Sequence, residues 1–265
     1  MKRKIVFTKE FMKISLGEQM LFPLEIGYPK RRLVWDENTF LNIINFFNGK
    51  THVFRSVYSY PLLKENEKLE YETHALVNKI FFDFDGENSL EDTIKFHDYL
   101  LKNNHLHTVL FSGMKGFHVY LYVPKTLYHN SNHNSKREFI GSIQLHFADK
   151  LGIQTDEHII GNVAQMARIP NTIHPKSKKM CTFLCEEDLS LSFSEIKEKS
   201  TKITGMTVFG RKTFDETVTS NKKRYKTYMP EINFDFDADK LINTNENTAE
   251  GIKTGITPTP FALKS

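Results

Sequence analysis

The sequence predicts an α+β fold, and three observations predict it. A strand, a helix, a hairpin of two strands and a second helix follow one another between residues 79 and 152. A shorter lead-in of mixed helix and strand character precedes them, over residues 1–75. After about residue 215 the composition turns polar and Asn/Thr-rich, with prolines, as in "NTNENTAEGIKTGITPTP". Strands and helices interspersed in this way, with two strands joined as a hairpin, are the elements of an α+β domain.

Each element has a local reason. In "TFLNIINFFN" the apolar Phe40, Ile43, Ile44 and Phe47 recur at helical spacing, and "HVFRSVYSY" reads as a strand. "KIFFDF" begins a strand at 79 that ends at Gly86. "SLEDTIKFHDYLLKNN" then reads as a helix, with Ser89 as its cap, Glu91 and Asp92 in its first turn, and Leu90, Ile94, Tyr99 and Leu101 as apolar support. "HLHTVLFSG" and "GFHVYLYVP" are two strands around a tight Gly-Met-Lys-Gly turn, and "SKREFIGSIQLHFADKLG" is an amphipathic helix ending near Gly152. "GNVAQMARIPNTIHPKSKKMCTFLC" begins as an extended or short helical piece, breaks at Pro170 and Pro175, and resumes as a short strand. The expected organisation is one domain over 1–215, with 1–75 as its N-terminal α/β part and 76–190 as its core. Residues 216–265 are a polar tail or the start of an accessory region.

Composition bounds the class. The chain has 265 residues, 39% hydrophobic and 26% charged, which excludes collagen-like, wholly disordered and membrane-spanning proteins. Cys181 and Cys185 are too few for a disulfide framework, and "MKRKIVFTKE" has no long apolar run behind it, so the expectation is an intracellular protein without a membrane partner. A formal charge of +4 decides little, so partners must be argued from where the charge lies.

In "FFDFDG", Asp83 and Asp85 share one strand face while Phe82 and Phe84 share the other. Two carboxylates about 6.6 Å apart on one face repel, and burying them unpaired is costly. Divalent cations with oxygen ligands would answer that repulsion. The plainer reading is a pair of acids facing solvent or a basic side chain. "FSGMKGFHVYLYV" places Ser112, Lys115 and His118 around Gly113 and Gly116. A glycine turn offers backbone N–H groups to an anion, with a lysine, a protonated histidine and a hydroxyl beside them. Asp156 follows the second helix, and then "ARIPNTIHPKSKK" brings Arg168, His174, Lys176, Lys178 and Lys179 with no acid among them. Arginine grips phosphate with a planar fork, and the lysines add point charge.

In that order, the acid pair, the Ser/Gly/Lys/Gly/His turn, the single acid and the Arg-Pro-basic segment resemble the catalytic core of the archaeo-eukaryotic primase superfamily, the primase-polymerases. The resemblance covers about residues 75–180 and lies in the combination. It implies an RRM-like antiparallel sheet with helices on one side, joined to a second α/β subdomain. It implies that Asp83, Asp85 and Asp156 hold two Mg²⁺ or Mn²⁺ ions. Ser112, Lys115 and His118 would contact the phosphates of an incoming dNTP or NTP, with Arg168 and Lys176 assisting and Gly113 and Gly116 letting the backbone approach. The implied activity is a DNA-dependent primase or polymerase, working on a single-stranded DNA template and a primer strand by two-metal nucleotidyl transfer, with a helicase or another replication protein as partner. Candidate template contacts are the basic "NKKRYK" at 221–226 and the rings of Tyr225 and Tyr228. Tyr58 or Tyr60 is the expected steric gate against a 2′-hydroxyl.

Other signals carry other readings. Members of the superfamily often hold zinc, and His129 with His133 and Cys181 with Cys185 have metal-ligand spacing, although the pairs lie far apart in the chain. Asp235 and Asp237 in "NFDFDADK" echo the acid pair without a following glycine turn, and read as structural or as an acidic contact surface. His105 and His107 resemble the metal-binding pair of rolling-circle (HUH) initiator endonucleases, which use a tyrosine nucleophile. A non-catalytic RRM-like nucleic-acid-binding module is the third reading, and acids on its sheet face would repel phosphate.

Overall fold

The computed structural model describes residues 6–16, 20–27 and 30–214, all of them within one compact unit. The "NKKRYK" stretch, Tyr225, Tyr228, Asp235, Asp237 and the whole expected tail lie outside the described residues. The chain runs through α1 (Lys9–Leu16), β1 (Leu24–Gly27), β2 (Arg31–Val34), α2 (Glu37–Phe47), β3 (Phe54–Ser56), α3 (Tyr71–His74) and β4 (Lys79–Phe84). It continues through α4 (Ser89–Lys102), β5 (His107–Phe111), β6 (Phe117–Tyr122), α5 (Lys136–Leu151), β7 (Met166–Arg168), β8 (Thr182–Phe183), α6 (Glu186–Leu189) and α7 (Phe193–Lys199). Among the described residues no helix is long and apolar enough to cross a membrane.

The fold is mixed α/β, with two four-stranded antiparallel sheets. The first has the order β2-β1-β3-β7 and the second β4-β6-β5-β8. Residues 76–190 therefore contribute β7 to the sheet begun by residues 1–75, where Arg168 pairs with Phe54. In the second sheet β6 lies between β4 and β5, and α4 crosses from one to the other. This is the strand order of a split βαβ unit with its hairpin folded inward.

Alternation along β4 decides what the sheet buries. Phe82 and Phe84 point to the helices, where the Phe82 ring lies 4.5 Å from Phe96 of α4, which lies 5.2 Å from Phe147 of α5. All four rings are fully buried, and burial of each such side chain contributes about 1.5–3 kcal/mol. The opposite face of β4 carries Lys79, Phe81 and Asp83, set against Tyr122, Tyr120 and His118 of β6. The acid pair thus falls on the face away from the helices because the phenylalanines claim the core.

Where a fifth strand could lie beside β4, the chain supplies only point contacts. Asp156 donates its backbone N–H to the carbonyl of Asp83 at 2.9 Å, and Thr155 donates its hydroxyl to that same oxygen at 3.1 Å. Two residues back, the carbonyl of Phe81 accepts from the side chain of Gln144 at 2.8 Å. These bonds satisfy the open edge of the strand. Gln144 is buried on α5, and its carbonyl also accepts the Gly161 N–H at 2.8 Å. The segment carrying Asp156 is thereby fixed against β4.

Several local expectations change. Asn88, not Ser89, is the cap residue of α4, and the Ser89 hydroxyl instead donates to the Lys115 carbonyl at 3.2 Å. Of "HVFRSVYSY", only Phe54–Ser56 pairs as a strand. Tyr58 and Tyr60 beyond it are core residues, with 1% and 0% exposure, and Tyr60 donates its hydroxyl to Glu25. Neither is placed as a gate at an open site. Helix α5 ends as expected at Gly152, which takes the left-handed conformation.

Candidate active site

The candidate site has an acid rim and a basic rim. Asp83 is the last residue of β4 on the face away from the helices, Asp85 follows just beyond it, and Asp156 is tied to the Asp83 carbonyl. One Asp156 carboxylate oxygen accepts the His158 N–H at 2.9 Å, which orients it. Burial pushes the Asp83 carboxyl up, the charges of Asp85 and Asp156 push it further, and Lys115 pulls it down, leaving a pKa of about 7. Lys115 Nζ lies 3.2 Å from Asp85, an exposed pair that contributes little stability.

The Ser112–Gly116 turn stands against this rim. Ser112 donates its N–H to the Gly116 carbonyl at 2.8 Å, and its hydroxyl accepts the Gly116 N–H at 3.2 Å. A side chain at Gly116 would put its Cβ 2.8 Å from the Phe84 carbonyl and 3.3 Å from Asp85, so only glycine lets the turn lie so close to the acids. Gly113 has φ +91°, which favours glycine. Its carbonyl accepts the hydroxyl of Ser177, joining the turn to the basic segment.

The basic rim is a hairpin between the two sheets. Chain pairing at Ile173 and Met180 folds residues 169–181 back on themselves, from β7 in one sheet to β8 in the other. Arg168 sits at its root, 6% exposed. Its guanidinium lies over the Phe54 ring at 4.9 Å and donates one N–H to His52 Nδ1 at 2.6 Å. The second terminal nitrogen, Nη1, is buried without a partner.

The histidines depart from expectation, because they are neutral. His118 Nε2 lies 3.7 Å from Asp83, too far for a hydrogen bond. Burial, with Arg168 nearby, holds its pKa down at about 3. His118 is therefore not the cation foreseen in the glycine turn. His174 Nδ1 accepts the backbone N–H groups of Lys176 and Ser177, both at 3.2 Å, and burial with Arg168 holds it at about 4. His52 is lowered by burial and by Arg168, consistent with its Nδ1 being an acceptor. The positive charge of this rim comes from Arg168, Lys176, Lys178 and Lys179.

Asp83, Asp85, Asp156, Ser112, Gly113, Lys115, Gly116 and His118 are thus neighbours, and Arg168, on the other sheet, is near enough for its charge to lower the pKa of His118. Lys176 stands on the hairpin, exposed. Sequence reading missed His52, Ser89, Gln144, Thr155 and Ser177; only Gln144, a polar residue within an apolar helix stripe, carried a visible signal.

Among the described residues, no three His, Cys, Asp or Glu side chains gather closely enough to form a ready metal cage. The donor set nevertheless fits hard divalent cations. It offers carboxylate oxygens, one of them driven to high pKa by its neighbours, with a single lysine as counter-charge. The expected zinc ligands are in separate settings. Cys181 is buried beside Arg168, Cys185 donates its thiol to Asp188, and His133 bonds Ser142. His107 is fully buried, with Nε2 2.9 Å from His97, and His105 packs edge-on to Phe214.

No family model matches this chain, and no curated protein matches it. A solved structure similar to it is the polymerase domain from Mycobacterium tuberculosis Ligase D in complex with DNA. That likeness has 12% sequence identity and a TM-score of 0.42, and it covers 69% of this chain and 71% of that one. At this level it assigns no residue a role.

Proposed function

We propose that the protein is a metal-dependent nucleotidyltransferase of the primase-polymerase type, adding nucleotides to a strand on a single-stranded DNA template. One observation carries this reading: three carboxylates that lack sufficient counter-charge face a glycine turn and a buried arginine with an unused donor. The acids call for cations, and the turn and arginine call for a phosphate. A nucleoside triphosphate with its divalent ions supplies both.

Asp83, Asp85 and Asp156 would hold Mg²⁺ or Mn²⁺. At that place the three carboxylates would hold cations whose chemistry would be to neutralise phosphate charge and favour departure of pyrophosphate. Lys115 and Arg168 then bring positive charge to the phosphate oxygens, where developing charge is stabilised most. Ser112 keeps its hydroxyl proton for a phosphate oxygen, since its oxygen already accepts from Gly116. His118, neutral and beside Asp83, acts as a hydrogen-bonding group rather than a charge. Lys176 extends the cationic side toward the triphosphate.

The test incubates the protein with single-stranded DNA, with and without an annealed primer, labelled dNTPs or NTPs, and Mn²⁺ or Mg²⁺. Wild type is expected to yield labelled strands, and Asp83→Ala and Arg168→Ala to lose them. Strands that persist in Asp83→Ala, or no product even with a primer and either metal, would overturn the reading.

A further inference from the structure

Residues 38–64 and residues 158–185 contain no Asp or Glu, a property they share with residues 99–137. The first two are joined beside the basic rim. The turn after α2 is fastened to the basic hairpin, because Asn48 Oδ1 accepts the Ile173 N–H at 2.7 Å. A Cβ at Gly49 would lie 3.6 Å from Ile173. His52 from the same region bonds Arg168 and lies edge-on to His174, with centroids 4.8 Å apart.

At the outer end of this surface stands Phe46, which the core does not explain. Helix α2 buries Phe40, Leu41, Ile43 and Ile44, whereas Phe46 falls off that stripe and is 59% exposed. The exposed Lys50 places its ammonium 4.1 Å from the Phe46 ring centroid. Phe47 braces Phe46 edge-on at 4.7 Å. Further in, His52 lies flat on Phe54, 5.7 Å between centroids and 8° between planes. Lys176 and Lys178 are exposed on the adjoining hairpin.

Resting on the reading above, we infer that this surface binds single-stranded DNA, with a base stacked on Phe46 and its phosphates on Lys50, Lys176 and Lys178. An exposed ring beside lysines, with no acid in either stretch, matches what an unpaired strand presents: π-faces along a line of negative charge. A duplex keeps its bases inside the stack and offers Phe46 nothing to lie on. Within the described residues, this surface offers the template contact expected of "NKKRYK", Tyr225 and Tyr228.

The test follows the full-length protein by fluorescence anisotropy with a labelled single-stranded oligothymidylate, and compares Phe46→Ala, Phe46→Tyr and Lys50→Gln. Phe46→Ala is expected to weaken binding about tenfold while Phe46→Tyr retains it. Lys50→Gln reduces the slope of log affinity against log salt by about 0.7, one phosphate contact. Melting curves of the variants verify folding, since Phe46 is largely exposed. Equal affinity of Phe46→Ala and wild type overturns the inference, and so does binding to duplex or to oligouridylate that is tighter than to the single DNA strand. Nucleotide incorporation is measured separately. Absent incorporation with a Phe46 effect on binding defeats the proposed activity and leaves this surface standing; intact incorporation with no Phe46 effect does the reverse.

Discussion

The two rims of the candidate site carry charge in opposite ways. On the acid rim, Asp83 shares a partly buried space with Asp85 and Asp156 and is driven to a pKa of about 7. On the basic rim, both imidazoles are neutral and accept donors: His52 from Arg168, and the buried His174 from two backbone N–H groups. The buried groups of the basic rim are satisfied except for one guanidinium nitrogen. The acid rim is not. A rim whose own charges repel is completed from outside by cations, and a rim with one spare donor is completed by an anion.

The sharpest way to break this comparison is to neutralise one acid. Asp83→Asn removes a repelled carboxylate, so in chelator-treated buffer at mildly alkaline pH its melting temperature should equal or exceed that of wild type. Its nucleotide incorporation should fall about a thousandfold, as when a transition-state stabilising group is deleted. Arg168→Ala should lose both activity and stability, because it strips His52 of its donor and Phe54 of its stacked cation. A melting temperature well below wild type for Asp83→Asn would make Asp83 a structural residue and end the contrast.

The rims should also answer pH with opposite signs. An ordinary aspartate titrates near 3.9. Asp83, raised to about 7, contributes stability below the ordinary carboxylate range that is lost as pH rises through about 7. His174, lowered to about 4 from about 6.5, contributes stability above about 6.5 that is lost as pH falls toward 4, at most about 3 kcal/mol. His107 and His118, also lowered, act in the same direction as His174. Denaturant midpoints measured across this range without metal should rise with pH in wild type. The rise should be steeper in Asp83→Asn and shallower in His174→Gln. Parallel curves for all three proteins would mean that neither group changes its proton affinity on folding.

What the sequence disclosed and what it hid divide along physical lines. Helix α2, the acid strand, α4, the hairpin and α5 were legible because periodicity and turn chemistry are local. The glycine turn was legible as a place where backbone must come close, and Gly116 meets the Phe84 carbonyl there. The pairing of β7 with β3 was hidden, since Met166–Arg168 is only three residues long and its partner lies more than a hundred residues away. The neutrality of His118 and His174 was hidden too, because burial sets it first, and Arg168, although close to His174 in the chain, comes near His118 only through the fold. Tyr58 and Tyr60 misled for a related reason. On an alternating strand, a core tyrosine and a gate tyrosine look alike until burial is known.

The mildest intervention leaves every charge in place and tests how the acid rim is positioned. Gln144 lies in the apolar stripe of α5, among Phe139, Ile140, Ile143 and Phe147. It bonds the Phe81 carbonyl, the Ile159 carbonyl and the Gly161 N–H, so it joins β4 to the segment that begins at Asp156. Gln144→Met keeps the length of the side chain and deletes those bonds. Stability should fall by about 2 kcal/mol, the cost of leaving buried backbone groups unpaired. A purely structural role would stop there. A positioning role predicts in addition that Mn²⁺ binding, followed by calorimetry on the folded variant, weakens about tenfold, because Asp156 is no longer held beside Asp83. Unchanged Mn²⁺ affinity would place the hold on Asp156 in its own bonds to the Asp83 carbonyl and to His158, and would reduce Gln144 to a core hydrogen bond.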